Sequence, residues 1–320
     1  MAHFYSFGGL RLRSAIELPS LVPADEAKGG WAGSLDLRVE PGAPVEHEAV
    51  SYGWRNGYRM RIGEKDGRWL IRSRFDGSFL IDRDGRAMTL VVDAMPPDPA
   101  AIEVLLRRVL TRVPMLQGAI AVHAASLMQD GGGMLLVGQS GAGKSTLCAA
   151  LTVQSGWQIL GDDTALLWTP AEPMLGAGAK TVCLWPESRD GLALSSDDSI
   201  PLASATGKGR SPVAAGDPPP LVPLRALVFL DRRAEVAEPR LERLDIAKAM
   251  ALIVRQIIHF NPSGTSVQER VHAVSGLREV LRHRSAWRLV YPSDYTALPA
   301  VEALLRPLLA RAVQSGNPEE

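Results

Sequence analysis

Apolar and polar residues alternate in short runs along residues 1–95. Leu35, Leu37 and Val39 take every second position, as do Tyr58, Met60 and Ile62, and then Trp69 with Ile71. Phe79 with Ile81, and Met88 with Leu90 and Val92, repeat the pattern. A period of two is that of a strand with one face buried. Between the runs stand Asn56-Gly57, Asp66-Gly67, Asp76-Gly77 and Asp84-Gly85, which suit the positive φ angles of tight hairpin turns. The pattern predicts an antiparallel meander, and so a small β-rich domain over 1–95 with a possible role in substrate recognition. Arg59, Arg61, Arg72 and Arg74 then share one face, read as the solvated side of that sheet.

The period changes after Pro96-Pro97. Asp98 can cap a helix with Pro99 in its first turn, and Ile102, Leu105, Leu106, Val109 and Val113 fall on one helical face. Pro114 is expected to end it. Ala119 to Ala125 reads as a strand carrying His123, and Met134 to Val137 as a buried strand. A helix should follow to about Ser155, closed by Gly156. Strands are expected at Trp157 to Leu160, Thr164 to Trp168, Leu224 to Leu230 and Ala286 to Tyr291. Helical spacing covers 246–259, 266–283 and 298–313. The Ser-, Gly-, Asp- and Pro-rich run 195–220 reads as a functional loop or as disorder. Strands alternating with helices predict an α/β domain over 96–320.

Candidate chemistry sits where the buried strand meets the helix. Gly138-Gln-Ser-Gly-Ala-Gly143-Lys144-Ser145-Thr146 fits the phosphate-cradling pattern G-x-x-x-x-G-K-[ST], between the strand and helix that it requires. Gly138, Ser140, Gly141, Ala142 and Gly143 let successive N–H groups turn inward on phosphate oxygens. Lys144 supplies a charge for the β- and γ-phosphates, Ser145 a hydroxyl ligand for Mg²⁺, and Thr146 continues the cradle. One helix and one strand later come Asp162-Asp163. Two carboxylates there can divide the work between holding Mg²⁺ and taking a proton from an attacking hydroxyl.

Composition narrows the setting. Lys plus Arg and Asp plus Glu both number 35 in a chain of 320 residues, so no basic surplus points to nucleic acid. The two cysteines, Cys148 and Cys183, do not form a metal-type pair, and reduced thiols suit a cytoplasmic protein. The N-terminus shows no signal-peptide pattern, and no apolar run is long enough to span a bilayer, so no membrane partner is expected. Self-association is left open.

The ordered set His123-Ala-Ala-Ser, then Gly138 to Ser145, then Gly156-Trp-Gln-Ile-Leu-Gly-Asp162-Asp163 resembles the catalytic domain of HPr kinase/phosphorylase. More closely it resembles the HPr-serine-kinase-like proteins, some of which accompany lasso-peptide biosynthesis. Phe7-Gly-Gly-Leu-Arg-Leu-Arg-Ser14 with Leu18-Pro19 is similar to their N-terminal part. The resemblance implies a phosphate-loop α/β kinase fold with a mixed sheet, related to phosphoenolpyruvate carboxykinase. It implies Asp162 as the base that deprotonates an acceptor serine, Asp163 as its metal-associated neighbour, and His123 near both. Thr146 stands where the family often has an acidic residue, and the glycine-rich signature of the bifunctional enzymes is absent. Phosphorolysis, and HPr itself as acceptor, are therefore not implied.

Together these point to an ATP- and Mg²⁺-dependent kinase acting on a serine of a peptide or protein, such as a ribosomal precursor peptide. A phosphate-loop ATPase is the alternative, because Ala226 to Asp231 reads as an apolar strand ending in a Mg²⁺-holding aspartate. A nucleotide-gated binding protein is the third. Lys208 and Arg210 could clamp the transferring phosphoryl group.

Overall fold

The computed structural model describes residues 2–25, 29–54, 59–74, 77–194, 200–201, 207–213 and 216–310. The turn at Asn56-Gly57, residue Tyr58, Asp76 and much of 195–220 lie outside that set, as do 311–320.

The first sheet has nine strands in the order Val22–Pro23, His3–Phe7, Leu10–Ser14, Gly33–Pro41, Ala87–Val92, Ser78–Ile81, Arg68–Arg72, Met60–Lys65, Ala49–Trp54. From Ala49 to Val92 it is the expected antiparallel meander. The sheet as a whole is mixed, not antiparallel. Gly33–Pro41 runs parallel to both Leu10–Ser14 and Ala87–Val92. Alternation in a sequence sets which side chains face the core, but is silent on strand direction, which loop connections decide. Arg59 and Arg61 are exposed, as expected of a solvated face.

The second sheet is built around Leu221–Arg232, twelve residues long. Gly132–Val137 and Ser285–Tyr291 flank it in parallel, whereas Ala124–Gln129 pairs antiparallel with Gly132–Val137. It too is mixed. Leu135 and Val137 enter one apolar cluster with Ile253, Leu277 and Val280, while Met134 and Leu136 enter another with Leu147 and Leu151. A strand buried on both faces must be apolar throughout, which is why 134–137 carries no polar residue.

Between the sheets lies a helical run that starts at Pro99, capped by Asp98 through a 2.6 Å bond to the Ala100 amide. It is not one regular helix. Pro99–Val104 is α-helical, Leu105–Val109 forms a π-turn in which the Leu110 amide donates to the Leu105 carbonyl, and a 3₁₀ turn follows. Pro114 does not end the run. It stands in the first turn of Val113–Leu116, where its missing N–H costs nothing. Val104, Leu105, Val109 and Val113 join the core of the first sheet, together with Leu166 and Trp168 of the second.

The expected strand Ala119–Ala125 is also broken. Ile120–Val122 pairs with Ala165–Trp168, Ala124–Gln129 pairs elsewhere, and His123 stands at the switch. The expected helix 246–259 stops at Ile253 and turns into a short strand at Ile257–Ile258. Gly209–Pro212, inside the expected loop, is a strand against Thr181–Leu184. Among the described residues, no helix is long and apolar enough to cross a membrane.

The turn Gly8-Gly9 anchors one sheet on the other. The Gly8 amide donates to the Ala177 carbonyl at 2.6 Å, and the Trp168 indole donates to the Gly8 carbonyl at 2.8 Å. A Cβ at Gly176 would come within 2.8 Å of the Gly9 nitrogen, a backbone atom that cannot swing aside. Gly176→Ala is therefore expected to cost about 1–3 kcal/mol, read as a lower urea midpoint. An unchanged midpoint would show that the two sheets do not need this close approach.

Candidate active site

The phosphate loop leaves the Gly132–Val137 strand at the end where Leu221–Arg232 also finishes. Its helix spans Lys144–Ser155, closed by Gly156 in the left-handed region as expected. Gly143 takes φ +92°, and its missing Cβ leaves room for the Tyr291 hydroxyl, which donates to the Ala142 carbonyl at 2.8 Å. Arg232 donates to the Gly141 carbonyl at 3.0 Å. Two residues from the neighbouring strands thus brace the loop, and neither stands out in the sequence. Burial pushes the Tyr291 hydroxyl up to about 12, so it stays a donor.

Lys144 is buried and donates to the loop's own carbonyls, Gly138 at 2.7 Å and Gln139 at 3.2 Å. Desolvation lowers its pKa, while the charges of Asp163 and Asp162 work in the other direction. Ser140 and Gly141 are exposed at the loop tip. The Thr146 hydroxyl lies 3.1 Å from that of Ser188.

The structure brings Ser145 together with Asp162. The Ser145 hydroxyl donates to Asp162 Oδ1 at 2.8 Å, and Oδ2 accepts the Cys183 amide at 2.8 Å. No hydrogen bond among the described residues joins Ser145 to Asp163. Burial and then the neighbouring Asp163 charge raise the Asp162 pKa, and the two hydrogen bonds offset this only in part.

Asp163 turns the other way. Its φ of +67° is left-handed, uncommon for a residue with a Cβ, and it carries the carboxylate away from that of Asp162. Oδ2 lies 3.3 Å from Arg107 and 3.8 Å from Arg108, and Oδ1 lies 3.3 Å from His123 Nδ1. The same His123 nitrogen is 2.9 Å from the Asp163 carbonyl. Burial works against the Asp163 charge, but Arg108, Arg107 and His123 outweigh it and hold the carboxyl below its ordinary value.

Arg107 and Arg108 went unread in the sequence, because at helical spacing they fall off the apolar face and look like its ordinary polar side. Lys208 adds positive potential at Lys144 and Asp163, and its ammonium lies 5.4 Å from the Trp185 ring centre. Arg210 is buried opposite Cys183. Asp231, on which the ATPase alternative turns, is engaged by Arg233 at 2.8 and 3.1 Å.

A small pocket of about 50 Å³ is lined by both aspartates, Arg107 and Cys183, and two larger clefts border the arrangement. One of about 480 Å³ runs between Gly138–Ala142 and Asp231, Arg232, Arg255 and Arg288. The other, about 320 Å³, opens on the far side of Asp163 between His123, Arg108, Arg112 and Tyr52.

An all-oxygen pair, hydroxyl and carboxylate, is the donor chemistry that Mg²⁺ takes from a protein when phosphates complete its shell. Ser145 and Asp162 fit that description. Among the described residues, no group of three or more His, Cys, Asp or Glu could hold a metal unaided.

Residues 100–180 match the family model described as SynChlorMet cassette protein ScmC, a span that holds His123, the phosphate loop and both aspartates. None of the curated proteins matches. Among solved structures the chain is distantly similar to the Hpr(Ser) kinase/phosphatase from Coxiella burnetii. The identity is 16%, covering 58% of this chain and 94% of that one, with a TM-score of 0.31.

The two carboxylates make opposite pH contributions. Folding raises the Asp162 pKa, so its stabilising contribution is full below the ordinary carboxylate range and is lost as pH rises through the raised value. Asp163 has a lowered pKa, so its contribution is present above the ordinary range and is lost as pH falls through the lowered value. Asp162→Asn should therefore raise the unfolding midpoint at neutral pH, by roughly 2–4 °C, and Asp163→Asn should lower it. Both differences should shrink in acid. Thermal scans at the two pH values check this, and a destabilised Asp162→Asn at neutral pH would contradict it.

Proposed function

We propose that the chain is an ATP- and Mg²⁺-dependent kinase that transfers the γ-phosphoryl group to a serine hydroxyl of a peptide or protein. One observation carries the reading. The paired aspartates face opposite ways, Asp162 to the phosphate loop and Asp163 to a separate cleft. An ATPase or a gated binder needs the first contact but has no use for the second. The engagement of Asp231 by Arg233 also favours this reading over the ATPase alternative.

The contacts favour a division of labour opposite to the one that the family resemblance implies. Ser145 and Asp162 would hold Mg²⁺, which when bound neutralises charge on the β- and γ-phosphate oxygens. The raised pKa of Asp162 agrees, because a carboxylate that is costly to ionise is where a cation gains most. Lys144 moves from the Gly138 and Gln139 carbonyls to the phosphates, and the inward-facing loop amides fix their position. Asp163, oriented by His123 and Arg107, accepts the proton of the acceptor hydroxyl. The serine oxygen forms its bond to the γ-phosphorus, the bond from phosphorus to the bridging oxygen breaks, and ADP leaves. Lys208, whose charge is felt at Lys144 and Asp163, would share the charge of the transferring group. A ribosomally made precursor peptide is the acceptor class that the family resemblance supports.

Asp163→Asn should lower transfer by about 10²–10⁴-fold while leaving nucleotide affinity nearly intact. Lys144→Ala should lose both, and Asp231→Asn should change little. Mass-spectrometric detection of phosphoserine in candidate peptides, alongside calorimetry of nucleotide binding, reads all three. Full transfer by Asp163→Asn would contradict its role as the base, and ATP turnover without phosphoserine, lost in Asp231→Asn, would favour the ATPase reading.

A further inference from the structure

The cleft beyond Asp163 has more cationic than anionic groups. Arg107, Arg108 and Arg112 line it, and Asp163 is the one carboxylate among the described residues of its wall. Glu103, buried behind, is held by Arg107 at 3.1 Å. Three guanidinium groups thus face two carboxylates, with His123 beside them.

The backbone is built to present this charge. On a regular α-helix consecutive residues diverge by about 100°, so Arg107 and Arg108 would not address one carboxylate. Both nonetheless reach Asp163 from the π-turn at Leu105–Val109. Such turns recur at functional sites. Arg112 is fixed by its bonds to the Arg108 and Phe260 carbonyls. Burial, and then the Arg108 charge, lower its pKa to about 10. Tyr52, from the first sheet, closes the cleft from the other side.

We propose that this cleft seats the acceptor and selects a segment with a carboxylate side chain next to the serine hydroxyl. The inference rests on the kinase reading for the purpose of the cleft, though not for the chemistry it binds. An acceptor carboxylate seated here would meet Arg108 and Arg112 beside Asp163, with Arg112 already held in place by two backbone carbonyls.

The test uses the full chain with Mg²⁺ and a non-hydrolysable ATP analogue. Two fluorescent heptapeptides, capped at both ends, carry a central serine flanked by glutamates in one and by glutamines in the other. Anisotropy should show the glutamate peptide bound roughly tenfold or more tightly, as charge-assisted hydrogen bonds to arginine imply. The preference should fall below about threefold in Arg108→Gln and be partly kept in Arg108→Lys. Equal affinities in the unmodified chain, no measurable binding of either peptide, or an undiminished preference in Arg108→Gln would overturn the proposal. Substituting ATP for the analogue separates the two readings. A preferred glutamate peptide that is never phosphorylated keeps the cleft assignment and defeats the kinase reading. Equal binding with phosphorylation of both peptides does the reverse.

Discussion

Two carboxyl groups on consecutive residues share the end of a buried strand, and the rest of the site is arranged around that constraint. The left-handed backbone at Asp163 meets it by turning the two side chains apart. Asp162 is then held by the Ser145 hydroxyl and the Cys183 amide, and Asp163 by Arg107, Arg108 and His123. Each has its own electrostatic surroundings, and their pKa values move in opposite directions. Two titratable neighbours driven apart in this way are what a division of chemical roles requires.

Supporting parts come from distant stretches of the chain. The π-turn carries two arginines that both reach one carboxylate, and His123, at the strand break, meets the Asp163 carbonyl and carboxylate. Tyr291 and Arg232, on the two parallel strands beside the phosphate loop, tie down its carbonyls. The first sheet shares its apolar core with the helical run that bears Arg107 and Arg108. A shift of that sheet would therefore reach Arg107 and Arg108 through the shared apolar core.

Much of this was legible in the sequence, because local rules apply locally. The strand, glycine loop and helix around Lys144 follow from an apolar run, a motif and a C-terminal glycine, and the structure has all three. The meander of the first sheet was readable for the same reason. Its parallel pairings were not, since alternation is blind to direction. Nor was the π-turn, which preserves the helical apolar spacing of Leu105, Leu106 and Val109 almost unchanged. The Ser145–Asp162 contact spans seventeen residues and depends on where the Gln158–Gly161 strand lands beside Ala124–Gln129. No spacing rule could choose between Asp162 and Asp163 as its partner.

That choice is the centre of the account, and manganese substituted for magnesium reads it directly by electron paramagnetic resonance in the presence of ATP. With Ser145 and Asp162 as the metal side, Asp162→Asn should weaken Mn²⁺ binding by about tenfold or more, whereas Asp163→Asn should leave it close to that of the unmodified chain. Retained Mn²⁺ affinity in Asp162→Asn together with its loss in Asp163→Asn would contradict the division of roles.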